Sequence, residues 1–211
     1  MLLFHLPGFT NMDYTISYYD NNADSFAQDT VTADLIAIYN RFLSYIPPDG
    51  KILDLGCGAG RDTKYFLQMG YKVDAADGSE SLCRIAKEYT GINVNHMLFS
   101  DLDADAVYDG IWACASVLHL PKDDLRDVFF KMIKATVKNG YIYTSFKYGD
   151  FEGDRNGRYY TDFTEKSFGE FIKDIKGIKI IETWTSADAR PDRGDEKWIN
   201  LIMKTSDPAF R

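Results

Sequence analysis

The sequence predicts an α/β fold in which a doubly wound, mostly parallel sheet carries helices on both faces. Apolar segments of strand length alternate with segments of helical periodicity along most of the 211 residues. A strand, a glycine-rich turn and a helix follow one another directly over residues 51–69, which makes the first half of a βαβ unit. The last two predicted strands are joined by a short loop and must therefore be antiparallel.

The pattern predicts one domain over residues 14–204, with an N-terminal extension over residues 1–13 and a C-terminal tail over residues 205–211. A strong helix over residues 35–46 comes first, and Pro47 and Pro48 end it. Residues 150–161 and 186–196 are polar or charged and are expected to be loops. The seven predicted strands cover residues 52–55, 71–76, 92–98, 110–115, 141–146, 178–184 and 197–204.

Three glycines at alternate positions, Gly56, Gly58 and Gly60, follow the first strand. Glycine lets the backbone turn sharply with no side chain, so that a ligand can lie against the main chain. The second strand ends in Asp77, 21 residues after Gly56, where folds of this kind hold the two ribose hydroxyls. An ordinary strand-to-helix turn is the alternative, and the placement of Asp77 argues against it.

The glycine spacing distinguishes between nucleotide cofactors. A dinucleotide fingerprint requires a third glycine at the sixth position, where this chain has Arg61, so NAD and FAD are disfavoured. Residues 54–60 (DLGCGAG) and 73–79 (VDAADGS) closely resemble motif I and the following acidic motif of class I S-adenosylmethionine-dependent methyltransferases. The resemblance covers residues 14–204. It implies a Rossmann-like sheet of seven strands with one reversed strand, S-adenosylmethionine as cofactor and S-adenosylhomocysteine as product.

The resemblance also implies which residues contact the cofactor. In that family the glycine loop lies under the methionine part, an acidic residue after strand three meets the adenine, and an aromatic residue of an N-terminal lid covers the cofactor. For the segment before residue 30, a helix packed on the domain edge is the equal alternative. The implied cofactor-binding residues are Tyr19, Asp54, Gly56, Cys57, Gly58, Gly60, Asp77, Gly78, Ser79, Asp101, Leu102, Ala115, Ser116 and His119.

The reaction requires little chemistry from the protein, because the sulfonium of S-adenosylmethionine already carries an activated methyl group. The protein aligns the acceptor in line with the C–S bond and excludes water. His119 follows strand four, at the sheet edge where such folds bind ligands. It is a candidate base, and a histidine that only hydrogen-bonds its loop is the alternative. Arg158 is the other candidate catalytic residue.

Two arginine-containing loops predict a small, polar or anionic methyl acceptor. The loops after strands five and six leave the sheet at the cofactor's edge and hold four arginines, so they can converge over the methyl group. Solvated arginines paired with nearby acids such as Asp188 are the alternative. The segment 60–62 (GRD) and the compact length are similar to the bacterial small-molecule group that includes tellurite-resistance methyltransferases. The predicted substrate residues are Arg158, Tyr160, Arg190 and Trp198.

Composition and net charge restrict the classes of molecule that the protein is expected to bind. A formal net charge of −8 and a pI of about 4.9 disfavour nucleic acid, and no apolar segment is long enough to span a membrane. The three cysteines lack metal-ligand spacing, so we expect no metal and a reducing, cytoplasmic location. A non-catalytic S-adenosylmethionine-binding module that acts through a partner protein, and an NAD-dependent enzyme, are the alternatives.

Overall fold

A computed structural model describes residues 10–190 and 193–206, and a seven-stranded sheet forms its centre. The strand order is β3-β2-β1-β4-β5-β9-β8, and β9 runs antiparallel to both of its neighbours while the other pairs are parallel. The predicted fold class, with its one reversed strand, is confirmed. The strands are β1 Lys51–Leu55, β2 Lys72–Asp77, β3 Val94–His96, β4 Tyr108–Ala113, β5 Thr136–Lys147, β6 Glu152–Arg155, β7 Arg158–Thr161, β8 Ile178–Ala187 and β9 Lys197–Thr205.

Side-chain caps start several of the seven α-helices found within the described residues. Ser79 accepts a hydrogen bond from the N–H of Leu82 at the start of α5, and Thr10 and Asp13 form a capping box at the start of α1. Most of the predicted extension and tail, residues 1–9 and 207–211, lies outside the described residues. The helices are α1 Asn11–Asn21, α2 Ala23–Thr30, α3 Ile36–Leu43, α4 Arg61–Gln68, α5 Glu80–Thr90, α6 Lys122–Ala135 and α7 Glu165–Ile172.

The core has two halves, one on each face of the sheet, because successive strand residues point to opposite faces. On one face, α6 and α7 pack phenylalanines such as Phe129 and Phe168 against Ile111 of β4. On the other, α3 and α4 pack on Trp112, whose ring stacks on that of Tyr143 with centroids 4.0 Å apart. No helix within the described residues has the length and apolar character that crossing a membrane requires.

Two predictions about the fifth strand and its loop are wrong. The segment 150–161, predicted as a polar loop, contains an antiparallel hairpin of β6 and β7. Asn156 and Gly157 form its turn with φ of 54° and 79°, the left-handed pair that a tight hairpin requires. Strand β5 begins at Thr136, five residues before the predicted start at Tyr141. Asn139, at φ 62°, lies inside it, and the pairing with β4 shifts register there.

Gly110 on β4 is a sensitive position of the core. A Cβ there would lie 2.7 Å from the Phe42 ring and 2.6 Å from Ile46, both buried. We expect Gly110→Ala to lower the free energy of unfolding by about 1–3 kcal/mol, measured by chemical denaturation. Gly169→Ala is the matched control, because its Cβ meets nothing within 4 Å, and a helical alanine should stabilise by about 0.5–1 kcal/mol. Equal effects of the two changes would contradict this view of the packing.

Candidate active site

The glycine turn after β1 folds back onto the end of β2. The N–H groups of Gly56 and Cys57 both donate to the carbonyl oxygen of Ala76, at 2.8 and 2.9 Å. Gly56 has φ 80°, and a Cβ there would lie 2.4 Å from the Cβ of Ser116. Only glycine fits this position, because a side chain would meet both an unfavourable backbone angle and a buried neighbour.

Asp77 fixes the geometry of the turn. Its Oδ2 accepts from the N–H of Gly58 at 2.8 Å, and its Oδ1 accepts from the N–H of Ser79 at 2.9 Å. Burial raises the pKa of Asp77, and the two backbone hydrogen bonds oppose that rise. Each carboxylate oxygen has more than one lone pair, so Asp77 can also accept from ribose hydroxyls. The turn and Asp77 therefore suit an adenosyl cofactor with its ribose on the carboxylate.

Helices α1 and α2, which we call the lid helices, lie over the glycine turn. Oδ1 of Asp20 accepts from the hydroxyl of Ser79 at 2.6 Å and from the N–H of Ser81 at 3.1 Å. The ring of Phe26 lies 3.1 Å from the position that a Cβ of Gly58 would occupy. The segment is thus helical and packed on the domain, and the same packing covers the turn.

His119 joins the lid helices to the β6–β7 hairpin. Its Nδ1 lies 2.6 Å from the carbonyl oxygen of Tyr159, and its Nε2 lies 2.8 Å from the hydroxyl of Tyr19. A carbonyl can only accept, so Nδ1 carries the hydrogen, and neutral His119 accepts from Tyr19 at Nε2. Burial lowers the pKa of His119 to about 4, which keeps the ring neutral at pH 7.

The pair Arg61–Asp62, directly after the glycine turn, forms a buried network. Asp62 accepts from the Arg61 guanidinium, from the hydroxyl of Tyr39 at 2.5 Å and from the indole of Trp112 at 2.7 Å. Burial disfavours the charged carboxylate, but Arg61 and these hydrogen bonds outweigh it, so the pKa of Asp62 lies below its usual value. Arg61 also donates to the carbonyl of Thr30, so the network holds the end of α2.

These elements enclose one cavity of about 670 Å³ between the glycine turn, the lid helices, the β6–β7 hairpin and the loop before β9. Most of the sequence-predicted site residues line it together. Ala115, at φ 50°, is held there by a 2.9 Å hydrogen bond from its N–H to Ser145. The predicted residues that line the cavity are Tyr19, Gly56, Cys57, Gly58, Asp77, Gly78, Ser79, Ala115, Ser116, His119, Arg158, Tyr160, Arg190 and Trp198.

Four predicted cofactor residues lie away from the cavity wall. Asp54 is buried and accepts from the hydroxyl of Thr63 at 2.5 Å, and burial raises its pKa to about 8. Gly60 lies where α4 passes α5. Asp101 is exposed and accepts from the N–H of Leu98 across its own turn, and Leu102 belongs to the core. The adenine contact assigned to Asp101 stays a prediction.

Several lining residues were not predicted from the sequence. The ring of Phe99 comes within 3.2 Å of the position that a Cβ of Gly56 would occupy, and Asp162 follows β7 at the cavity wall. An aromatic residue just before Asp101 and alternation along β7 are the signals that could have indicated them. The other unpredicted polar or charged residues on the wall include Asp62, Lys147, Asp188 and Asn200.

The four arginines predicted to converge differ in their partners. Arg190 donates from Nε and Nη2 to Asp188 at 2.9 and 2.5 Å, which is the ion pairing that we considered as the alternative. Arg155 pairs with Asp162, and Arg193 pairs with Glu196. Arg158 instead packs among tyrosine rings, with its Cζ 4.3 Å from the ring centroid of Tyr18 and 5.3 Å from that of Tyr160. Within residues 10–190 and 193–206, no carboxylate pairs with Arg158, and its buried Nε has no hydrogen-bond partner.

Comparisons with known proteins agree with this geometry. A family model described as a methyltransferase domain matches residues 52–140. An uncharacterized methyltransferase of Staphylococcus carnosus is 24% identical over 157 residues, which are 70% of this chain and 76% of that protein. The probable S-adenosyl-L-methionine-dependent methyltransferase TehB of Haemophilus influenzae is 26% identical over 62% of this chain and 47% of its own length. The chain thus spans about half of TehB.

The fold is shared with solved methyltransferases. The 1,6-didemethyltoxoflavin-N1-methyltransferase of Burkholderia thailandensis, with bound 1,6-didemethyltoxoflavin and S-adenosylhomocysteine, superposes with a TM-score of 0.74 at 20% identity, covering 97% of this chain and 94% of that one. The family model and these relatives support a class I S-adenosylmethionine-dependent methyltransferase, and the glycine turn and Asp77 agree with that class. It is an enzyme and its cofactor is S-adenosylmethionine, so neither the NAD-dependent enzyme nor the non-catalytic module is retained.

The ribose assignment predicts a loss of cofactor affinity when the carboxylate is removed. A hydrogen bond to a charged group is worth roughly 1.5–3 kcal/mol, so Asp77→Ala should weaken S-adenosylhomocysteine binding by about tenfold to a hundredfold for each bond lost. Isothermal titration calorimetry measures the affinity, and Asp105→Ala, which changes an exposed carboxylate outside the cavity, is the control. Unchanged affinity in Asp77→Ala would remove the assignment.

The buried His119 predicts a stability loss in acid. Its pKa is about 4 in the folded protein and near 6.5 in the unfolded chain, so the unfolded chain binds more protons between these values and stability falls as pH falls. From pH 7 to pH 5 the loss attributable to His119 is about 2 kcal/mol. Chemical denaturation at both pH values should show a smaller loss for His119→Gln than for the wild type. Equal losses in the two proteins would contradict the buried, neutral state.

Proposed function

We propose that this enzyme transfers the methyl group of S-adenosylmethionine to a small, anionic acceptor held by Arg158. The observation that carries the proposal is that the guanidinium of Arg158 lines the cavity without a carboxylate partner among the described residues. It is partly buried, with its Nε atom inaccessible to solvent, and it lines the cavity shared with the glycine turn. It has no carboxylate partner among the described residues, whereas Arg155, Arg190 and Arg193 each have one. The protein is acidic overall, yet of these four arginines Arg158 alone lacks a carboxylate partner within the described residues.

The energetics favour an anion at this place. A buried donor without a partner costs about 1–3 kcal/mol, and the tyrosine faces offset part of the charge burial through cation–π attraction. A carboxylate or other oxyanion would satisfy Nε and a terminal nitrogen together, in the bidentate geometry that guanidinium favours. Tyr160 packs on His119 at a centroid distance of 4.8 Å and so gives the acceptor a rigid aromatic wall.

The transfer itself is an in-line displacement, in which the acceptor atom, the methyl carbon and the sulfur are collinear. The bound cofactor supplies the activated methyl group on sulfur, and S-adenosylhomocysteine leaves as product. The chain supplies alignment and exclusion of water through the lid helices and the β6–β7 hairpin. An anionic acceptor atom needs no base, which agrees with a His119 whose Nδ1 hydrogen is fixed by Tyr159 and whose Nε2 is occupied by Tyr19.

One solved neighbour supports a small acceptor. The methyltransferase of Burkholderia thailandensis named above holds 1,6-didemethyltoxoflavin beside S-adenosylhomocysteine. The net charge of −8 argues against a nucleic-acid acceptor. The three cysteines are free thiols, which fits a reducing cytoplasm as the working location.

A screen of carboxylates and oxyanions as methyl acceptors, followed by kinetics of Arg158→Gln, tests this proposal. Loss of a charged, bidentate contact should lower kcat/KM for the best acceptor by about tenfold to a hundredfold, while S-adenosylhomocysteine affinity is retained. Arg158→Lys keeps the positive charge but loses the bidentate geometry of the guanidinium. Its kcat/KM should therefore lie between those of Arg158→Gln and the wild type. Arg84→Gln removes an exposed arginine outside the cavity and is the control. A neutral, apolar best acceptor, or equal kinetics in Arg158→Gln and the wild type, would refute the proposal.

A further inference from the structure

Asp162 is a buried carboxylate on the cavity wall to which the sequence pattern gave no role. It follows directly after β7 and is only 6% exposed. Its Oδ2 accepts from Nη2 of Arg155 at 2.7 Å. Its Oδ1 is buried and has no hydrogen-bond partner among the described residues. A single oxygen therefore satisfies the ion pair, and the other oxygen is a second polar atom of the site without a partner.

The position of Asp162 relative to Arg158 follows from strand geometry. Side chains alternate along a strand, so residues 158, 160 and 162 share one face. Arg158, Tyr160 and Asp162 all line the cavity. On the opposite face, the hydroxyl of Thr161 donates to the carbonyl of Leu120 at 2.7 Å. The cavity face of this strand thus presents a cation, an aromatic ring and an anion in sequence.

The ring of Tyr160 ties the two charged groups together. The guanidinium carbons of Arg155 and Arg158 lie 5.2 and 5.3 Å from its centroid, and Arg155 holds Asp162. The Cα atoms of residues 158 and 162 are roughly 13 Å apart at about 3.3 Å per strand residue, and the guanidinium of Arg158 extends to the ring of Tyr160, the residue midway between them. One small molecule lying along Tyr160 can therefore reach both.

We infer that the methyl acceptor carries an O–H or N–H group in addition to its anionic group, and that Oδ1 of Asp162 accepts a hydrogen bond from it. The ligand class is hydroxy- or amino-substituted small acids. The inference rests on the proposed function, because Arg158 must hold the anionic end. A buried, unpartnered acceptor costs free energy in the absence of ligand, as the unpartnered donor on Arg158 does, and a ligand with both groups satisfies both atoms.

The test compares matched compounds with the protein loaded with S-adenosylhomocysteine. Benzoate, 3-hydroxybenzoate and phenol form an aromatic series, and butyrate, 3-hydroxybutyrate and 2-butanol form an aliphatic one. Isothermal titration calorimetry should show that, in at least one series, the hydroxy acid binds the wild type roughly tenfold more tightly than the plain acid. Asp162→Asn should reduce that preference to about threefold or less. Asp150→Asn, an exposed carboxylate of the same region, should leave it unchanged.

The outcomes separate this inference from the proposed function. Equal binding of hydroxy and plain acids by the wild type in both series overturns the role of Asp162, as does a preference that Asp162→Asn retains. In either case, weaker binding of the acids by Arg158→Gln still supports the anionic acceptor. Acids that bind Arg158→Gln as well as they bind the wild type overturn the proposed acceptor class. If Asp162→Asn fails to bind S-adenosylhomocysteine, the inference is judged by whether the wild type prefers hydroxy acids to plain acids.

Discussion

The carboxylate of Asp77 is the constraint on which the rest of the site depends. It holds the N–H of Gly58 from one side and the N–H of Ser79 from the other, so it fixes both the glycine turn and the start of α5. Ser79 in turn donates to Asp20, which anchors the lid helices. One half-buried acid at the end of β2 therefore fixes both the glycine turn and the helices that cover it. Burying a charge is costly, and the backbone donors around Asp77 are what make that burial tolerable.

The cover of the cavity is built from two distant parts of the chain. The N–H of Tyr159 donates to the hydroxyl of Thr15, and His119 contacts both the lid residue Tyr19 and the hairpin carbonyl of Tyr159. The lid helices and the β6–β7 hairpin thus meet over the cavity. The same hairpin carries Arg158, so one element both covers the cavity and presents the group that we propose for the acceptor.

Much of the fold, including the glycine turn beside Asp77, could be predicted from the sequence because the signals for these features are local. The strand, glycine turn and helix over residues 51–69, and the acid 21 residues after Gly56, lie within one βαβ unit. The β6–β7 hairpin was missed because its strands are short and polar, although Asn156–Gly157 is a strong hairpin signal.

Residue pairing could not be predicted in the same way. Sequence alone placed four arginines near several acids, but which arginine remains without a carboxylate depends on three-dimensional contacts. Arg190 pairs with Asp188, two residues before it, and the pairing of β8 with β9 brings the indole N–H of Trp198 to the same carboxylate. The tautomer of His119 depends likewise on the carbonyl of Tyr159, 40 residues away in the chain. Such contacts leave no periodic pattern in the sequence.

A crystal structure of the complex with S-adenosylhomocysteine tests the central claim most directly. We expect both ribose hydroxyls to lie within hydrogen-bond distance of the Asp77 carboxylate and the homocysteine part to lie over Gly56 and Gly58. We also expect the sulfur to face the part of the cavity lined by Arg158 and Tyr160. A ribose bound away from Asp77, or a sulfur that faces away from Arg158, would contradict this claim.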